Sequence, residues 1–105
     1  MSRKPAPEWI ARRGCSQFGL SALQRAVLLS LWDHANSSRE SWPSAPTIAA
    51  ETGYSDRAVK AALVTLSDRG FITRMGTEHY ESGSSWSRHA VKWSLTESPR
   101  SVIAA

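Results

Sequence analysis

Arg57 and Lys60 stand three residues apart, so on a helix they share one face. A guanidinium fork beside an ammonium suits a surface rich in acceptors and negative charge, because Arg can grip two acceptors at once and Lys adds a point charge. Ala61 and Val64 fall on the same side and offer methyl groups, and Asp56 offers an acceptor or an acid that favours a helix N-terminus. The other reactive residue types do not converge. No serine is flanked by the glycines of a nucleophile elbow. The three histidines show no metal-ligand spacing with one another or with Cys15, the single cysteine. Asp33 and His34 are helix neighbours that should point in different directions and read as a solvated face. A phosphate-cradling glycine loop is missing, which excludes a self-contained nucleotide-driven motor. The expectation is a binding protein, not an enzyme, with no cofactor and no metal.

For Arg57 and Lys60 to face outward, the opposite side of their helix must be buried. Val59, Ala62, Leu63 and Leu66 recur at i, i+3, i+4 and i+7, which predicts a helix over 56–69, capped by Ser55 and stopped by Gly70. Ahead of it, Ser44 can cap a short helix whose first turn holds Pro46, where a missing N–H costs nothing, and Gly53 closes that helix. Further upstream, Ser21 with Gln24 reads as a capping box and Leu20 as its staple. Leu23, Ala26, Val27, Leu31 and Ala35 then predict a helix over 22–36. "RESWPS" is read as a polar connector, with Trp42 a packing lid, and Trp32 and Trp93 are assigned to the core. After Gly70, "FITRM" and "HAVKWSL" alternate apolar and polar residues and predict an antiparallel pair. The Gly- and Ser-rich stretch at 76–88 is expected to form a flexible hairpin tip.

Two helices crossing steeply through a short turn need a small residue where they touch, a glycine free to take positive φ, and a branched apolar residue on the second helix. Ala49, Gly53 and Val59 fill these roles in order, which is a helix-turn-helix arrangement. Residues 20–95, with an apolar helix, then "WPS", then "TIAAETGYSDRAVKAALVTLSDRGFI", resemble the winged-helix domains of phage and plasmid replication proteins and small regulators. The resemblance implies an α+β winged helix-turn-helix fold, a three-helix core plus a two-stranded antiparallel β wing, that binds duplex DNA. Its recognition helix would meet bases through Arg57, Lys60, Ala61, Val64 and Asp56: the cations on guanine edges or phosphates, Ala61 and Val64 on thymine methyls, Asp56 on a cytosine amino group. Backbone contacts would come from Ser44, Thr47, Tyr54 and Ser55 near the helix N-termini and from Arg88 on the wing, and, outside the resemblance, charge alone adds Arg12 and Arg13. Capping is the competing role of Ser44 and Ser55. Glu78 and Glu81 count against a wing buried deep in the minor groove, and Trp86 could mark a dimer or protein contact.

The 105 residues carry a net charge of +4, distributed unevenly. Residues 1–25 hold Arg3, Lys4, Arg12, Arg13 and Arg25 against Glu8, while the remainder balances. We therefore expect a basic arm over 1–18, extended or partly ordered and anchored by Trp9 and Ile10, that could lie along DNA. The domain proper is expected over 19–97, with a flexible tail over 98–105. The start lacks the apolar run of a signal peptide and no stretch reaches membrane-spanning length, which favours a cytoplasmic protein with no membrane partner. No dedicated dimerisation helix is visible, and a homodimer stays open. The near-neutral balance outside the arm keeps one rival reading in play, a winged-helix module that binds a protein instead of a DNA sequence.

Overall fold

The computed structural model describes residues 6–13, 15, 17–82 and 86–97, with side chains at 11–13, 77–82 and 86–90 left aside. It comprises α1 (Glu8–Arg13), α2 (Ala22–Asp33), β1 (Glu40–Ser41), α3 (Ala45–Thr52), α4 (Asp56–Asp68), β2 (Ile72–Ser82) and β3 (Trp86–Leu95). The three strands form one antiparallel sheet in the order β1-β3-β2. This is the expected α+β winged helix-turn-helix fold, with one helix and one strand more than the residue pattern indicated.

Local signals start and stop the helices. Ser21 accepts a hydrogen bond from the Gln24 backbone N–H at 3.1 Å, and the Gln24 side chain accepts one from the Ser21 N–H at 3.0 Å, so the capping box is complete. Ser44 and Ser55 cap α3 and α4 by accepting from the Thr47 and Ala58 N–H groups. Gly53 ends α3 at φ 83°, donating its N–H to the Ala49 carbonyl at 2.9 Å. Only three residues separate α3 from α4, and this left-handed position lets the chain turn within them.

One apolar core lies between the helices and the base of the sheet. Val27, Leu28, Leu31 and Trp32 of α2, Ile48 of α3, Val59, Ala62 and Leu66 of α4, and Phe71, Ile72, Trp93 and Leu95 are all buried in it. The core placement expected for Trp32 and Trp93 holds.

The N-terminal segment, expected as an extended or partly ordered arm, is anchored by Trp9 and Ile10 as expected and is helical over part of its length. Glu8–Arg13 is helical and its Ile10 is fully buried. Trp9 lies against Phe18 and Phe71 at ring-centroid distances of 4.6 and 5.8 Å, and its indole N–H donates to the Glu97 carbonyl at 2.8 Å. Arg25 donates to the Ile10 carbonyl at 2.8 Å, and Arg69 sits over the Phe71 ring while donating to the Phe18 and Gly19 carbonyls. Aromatic burial and these backbone ties hold α1 in the fold.

"RESWPS" is likewise more than a connector. Glu40 pairs with Ser94 and Ser41 with Trp93, and the buried Ser41 hydroxyl donates to the Leu31 carbonyl at 2.7 Å. Strands β2 and β3 run on through most of 76–88, so only 83–85, outside the described residues, separate them. Their register shifts between Arg74 and Gly76, leaving Met75 as the extra residue of a bulge. Among the described residues, no helix is long and apolar enough to cross a membrane.

Two stability tests follow from this architecture. Ile10→Ala should lose about 2–5 kcal/mol in urea unfolding, as expected for a large-to-small core change. A loss below about 0.5 kcal/mol would show that α1 is dispensable. A Cβ on Gly53 would meet nothing within 4 Å, so Gly53→Ala should cost the left-handed backbone penalty alone, about 1–2 kcal/mol. Gly53→Asn should cost less, and equal losses would place the penalty elsewhere.

Candidate nucleic-acid interface

Residues on an α-helix advance by about 100° each, which sorts α4 into two faces. Val59, Ala62 and Leu66 are buried and Leu63 packs against the core at its edge. Arg57, Lys60, Ala61, Val64 and Asp68 form the opposite stripe, and all are exposed. Asp56 is exposed in the first turn, where its carboxylate favours the helix N-terminus. The expected base-facing residues Arg57, Lys60, Ala61, Val64 and Asp56 therefore share one open surface. From the N-terminal end, the stripe reads cation, cation with methyl, isopropyl, acid.

The expected backbone contacts are more scattered. The Ser44 and Thr47 hydroxyls are 2.9 Å apart and hydrogen-bonded to each other, and Ser44 also caps α3, so both are engaged within the protein. Ser55 spends its oxygen on the α4 cap. Tyr54 sits in the turn between α3 and α4 with 38% of its surface exposed. Arg12 and Arg13 belong to α1 and Arg88 to β3, but their side chains lie outside those described, as do those of Glu78, Glu81 and Trp86. Arg88 is opposite Tyr80 in the backbone register.

Two features escaped the reading of the residues. Asp33, His34 and Glu51 come together, with one possible ligand atom from each lying within 4.8 Å of the others. The expectation that Asp33 and His34 point apart assumed a continuing helix. His34 is instead the C-cap, at φ −96° and ψ 1°, and its ring turns to Glu51 at 2.8 Å. Ser30 donates to the same carboxylate at 2.8 Å, which fastens α3 to α2. The second feature is a surface hollow of about 360 Å³ lined by His34, Trp42, Pro43, Ser44 and Thr47. Trp42 is 39% exposed, with the Lys92 ammonium 5.4 Å from its ring centroid, so the packing lid has one open side. The sixteen residues between His34 and Glu51 carried no periodic signal that could pair them.

Comparison with known proteins bears on what the open face of α4 is for. A relative, Protein YmfN of Escherichia coli (strain K12), is 30% identical over 71 residues. The match covers 68% of this chain but 16% of that protein, so the chain spans a small part of the relative's length. No solved structure matches. Residues 19–72 match the family described as "Helix-turn-helix domain", a stretch running from the cap of α2 to the start of β2. The chain belongs to the helix-turn-helix domain family, whose members are DNA-binding modules.

Proposed function

We propose that this protein binds duplex DNA sequence-specifically by placing α4 in the major groove. The observation that carries the reading is the exposed stripe of α4, where Arg57 and Lys60 lie together, directly opposite the buried Val59, Ala62 and Leu66. A helix fits the width of the major groove, and Arg there can hydrogen-bond two acceptors of a guanine at once. Ala61, Val64 and Asp56 complete the base-facing set. Tyr54, the helix N-termini at Ser44, Thr47 and Ser55, and Arg88 on the wing supply phosphate contacts that hold register. Arg12 and Arg13 add electrostatic attraction from α1. The role that fits a small domain of this kind is that of a transcriptional regulator, or of a replication or excision accessory factor, of the phage or plasmid type, acting in the cytoplasm as a monomer or a homodimer. Protein binding in place of sequence reading is the outcome that the following tests would expose.

Fluorescence anisotropy with duplex from the region upstream of the protein's own coding sequence, against a scrambled duplex, is the direct measurement. A preference of about tenfold or more is expected, matching about 1–3 kcal/mol for a good bidentate contact. Arg57→Ala/Lys60→Ala should abolish it. Equal weak binding to both duplexes, unchanged in the variant, would redirect the search to a protein partner. Because residues 9 and 10 are part of the core, the contribution of the basic segment is better tested by substitution than by truncation. Arg12→Ala/Arg13→Ala should lower the slope of log K against log salt by about 2, at roughly 0.9 per phosphate contact. An unchanged slope would remove both residues from the interface.

A further inference from the structure

The stripe on α4 is ordered along the helix axis as well as confined to one side. Arg57 comes first, Lys60 and Ala61 follow one turn on, Val64 one turn further, and Asp68 another turn beyond, all exposed. Val64 is the large hydrophobic side chain with the greatest exposure among the described residues, at 61%. From this order we infer that α4 reads a composite element in which a guanine, held by Arg57, is followed at a fixed short distance by a thymine whose 5-methyl group packs on Val64. The inference rests on the DNA-binding reading above and adds which bases are read and how far apart.

Arg57 to Val64 spans seven residues, or about 10 Å along the axis at a rise of roughly 1.5 Å. Stacked base pairs lie about 3.4 Å apart. A helix that follows the groove runs obliquely to the duplex axis, so the two contacts fall about two base pairs apart; about three is the limit for a helix parallel to that axis. The thymine methyl is the one apolar group on the major-groove edge of the base pairs, so an isopropyl group aimed into the groove discriminates by methyl contact and cannot compete for donors or acceptors. Asp68 closes the element. Its carboxylate lies on the same stripe beyond Val64 and is repelled by phosphate, so the helix has to rise out of the groove at that end. The cations of the N-terminal half place a polyanion on this face, which is why the methyl-bearing occupant is assigned as DNA and not as an apolar protein surface.

The test is selection of binding sites from a randomised duplex pool by the full chain, then titration of the enriched duplex made with thymine or with deoxyuridine, which lacks the methyl. Enriched sites should carry a guanine and a thymine two to three base pairs apart. Deoxyuridine should weaken binding by about fourfold per contacted methyl, as expected for one buried carbon group. Val64→Ser, an exposed change whose folding is checked by circular dichroism, should bind both duplexes equally. If the wild type does not distinguish the duplexes, or if Val64→Ser retains the full difference, the methyl contact is overturned while sequence-specific binding stands. If the pool yields no enriched site at all, the DNA-reading role of α4 falls, and this inference with it.

Discussion

The open face of α4 exists because its other face is out of water. Val59 and Leu66 are fully buried against a core built largely from α2, and each such side chain contributes about 1.5–3 kcal/mol on burial. That burial fixes the rotation of α4 about its own axis. A rotation by one residue, about 100°, would bring Lys60 or Asp56 toward the core, where an unpaired charge is very costly. Keeping the apolar stripe inward thus holds Arg57, Lys60 and Val64 outward. The exposed stripe needs no hydrogen bonds of its own to keep its direction.

α2 and α3 make this arrangement rigid by different means. α2 supplies mass, with Val27, Leu28, Leu31 and Trp32 all buried. α3, at eight residues, is too short to hold its place by burial alone, with Ile48 its one buried side chain. It is tied at both ends: Ser44 and Gly53 close its backbone, and Glu51 is held by Ser30 and His34 of α2. The turn from α3 into α4 therefore starts from a fixed platform, which holds the start of α4 in place.

Much of this was legible in the residues themselves. The caps at Ser21, Ser44 and Ser55, the stops at Gly53 and Gly70, and the split of α4 into buried and exposed faces all follow from local chemistry and a 3.6-residue period, and the structure agrees with each. What was not legible depends on contacts distant in sequence. Strand β1 is two residues long, too short to show an alternation, and exists because Ser94 and Trp93 lie beside it. α1 has six residues and its helical form depends on Trp9 and Ile10 meeting Phe18, Phe71 and Arg25. The Gly- and Ser-rich composition of 76–88 suggested a loose tip, yet β-pairing continues to Ser82 and Trp86, because each added backbone bond extends an existing ladder. In the candidate site, side-chain type indicated the cations and methyls of α4, but not that Ser44 and Thr47 would satisfy each other.

The bond from Trp9 to the Glu97 carbonyl has a topological consequence. It brings together two points 88 residues apart, so the chain comes into the domain and leaves it at one place, on the aromatic side built from Trp9, Phe18 and Phe71. A domain closed in this way could be spliced into a host loop, or circularly permuted, with little disturbance to its interior. Segments attached before Trp9 and after Glu97 would set out as neighbours, like two cords from one knot.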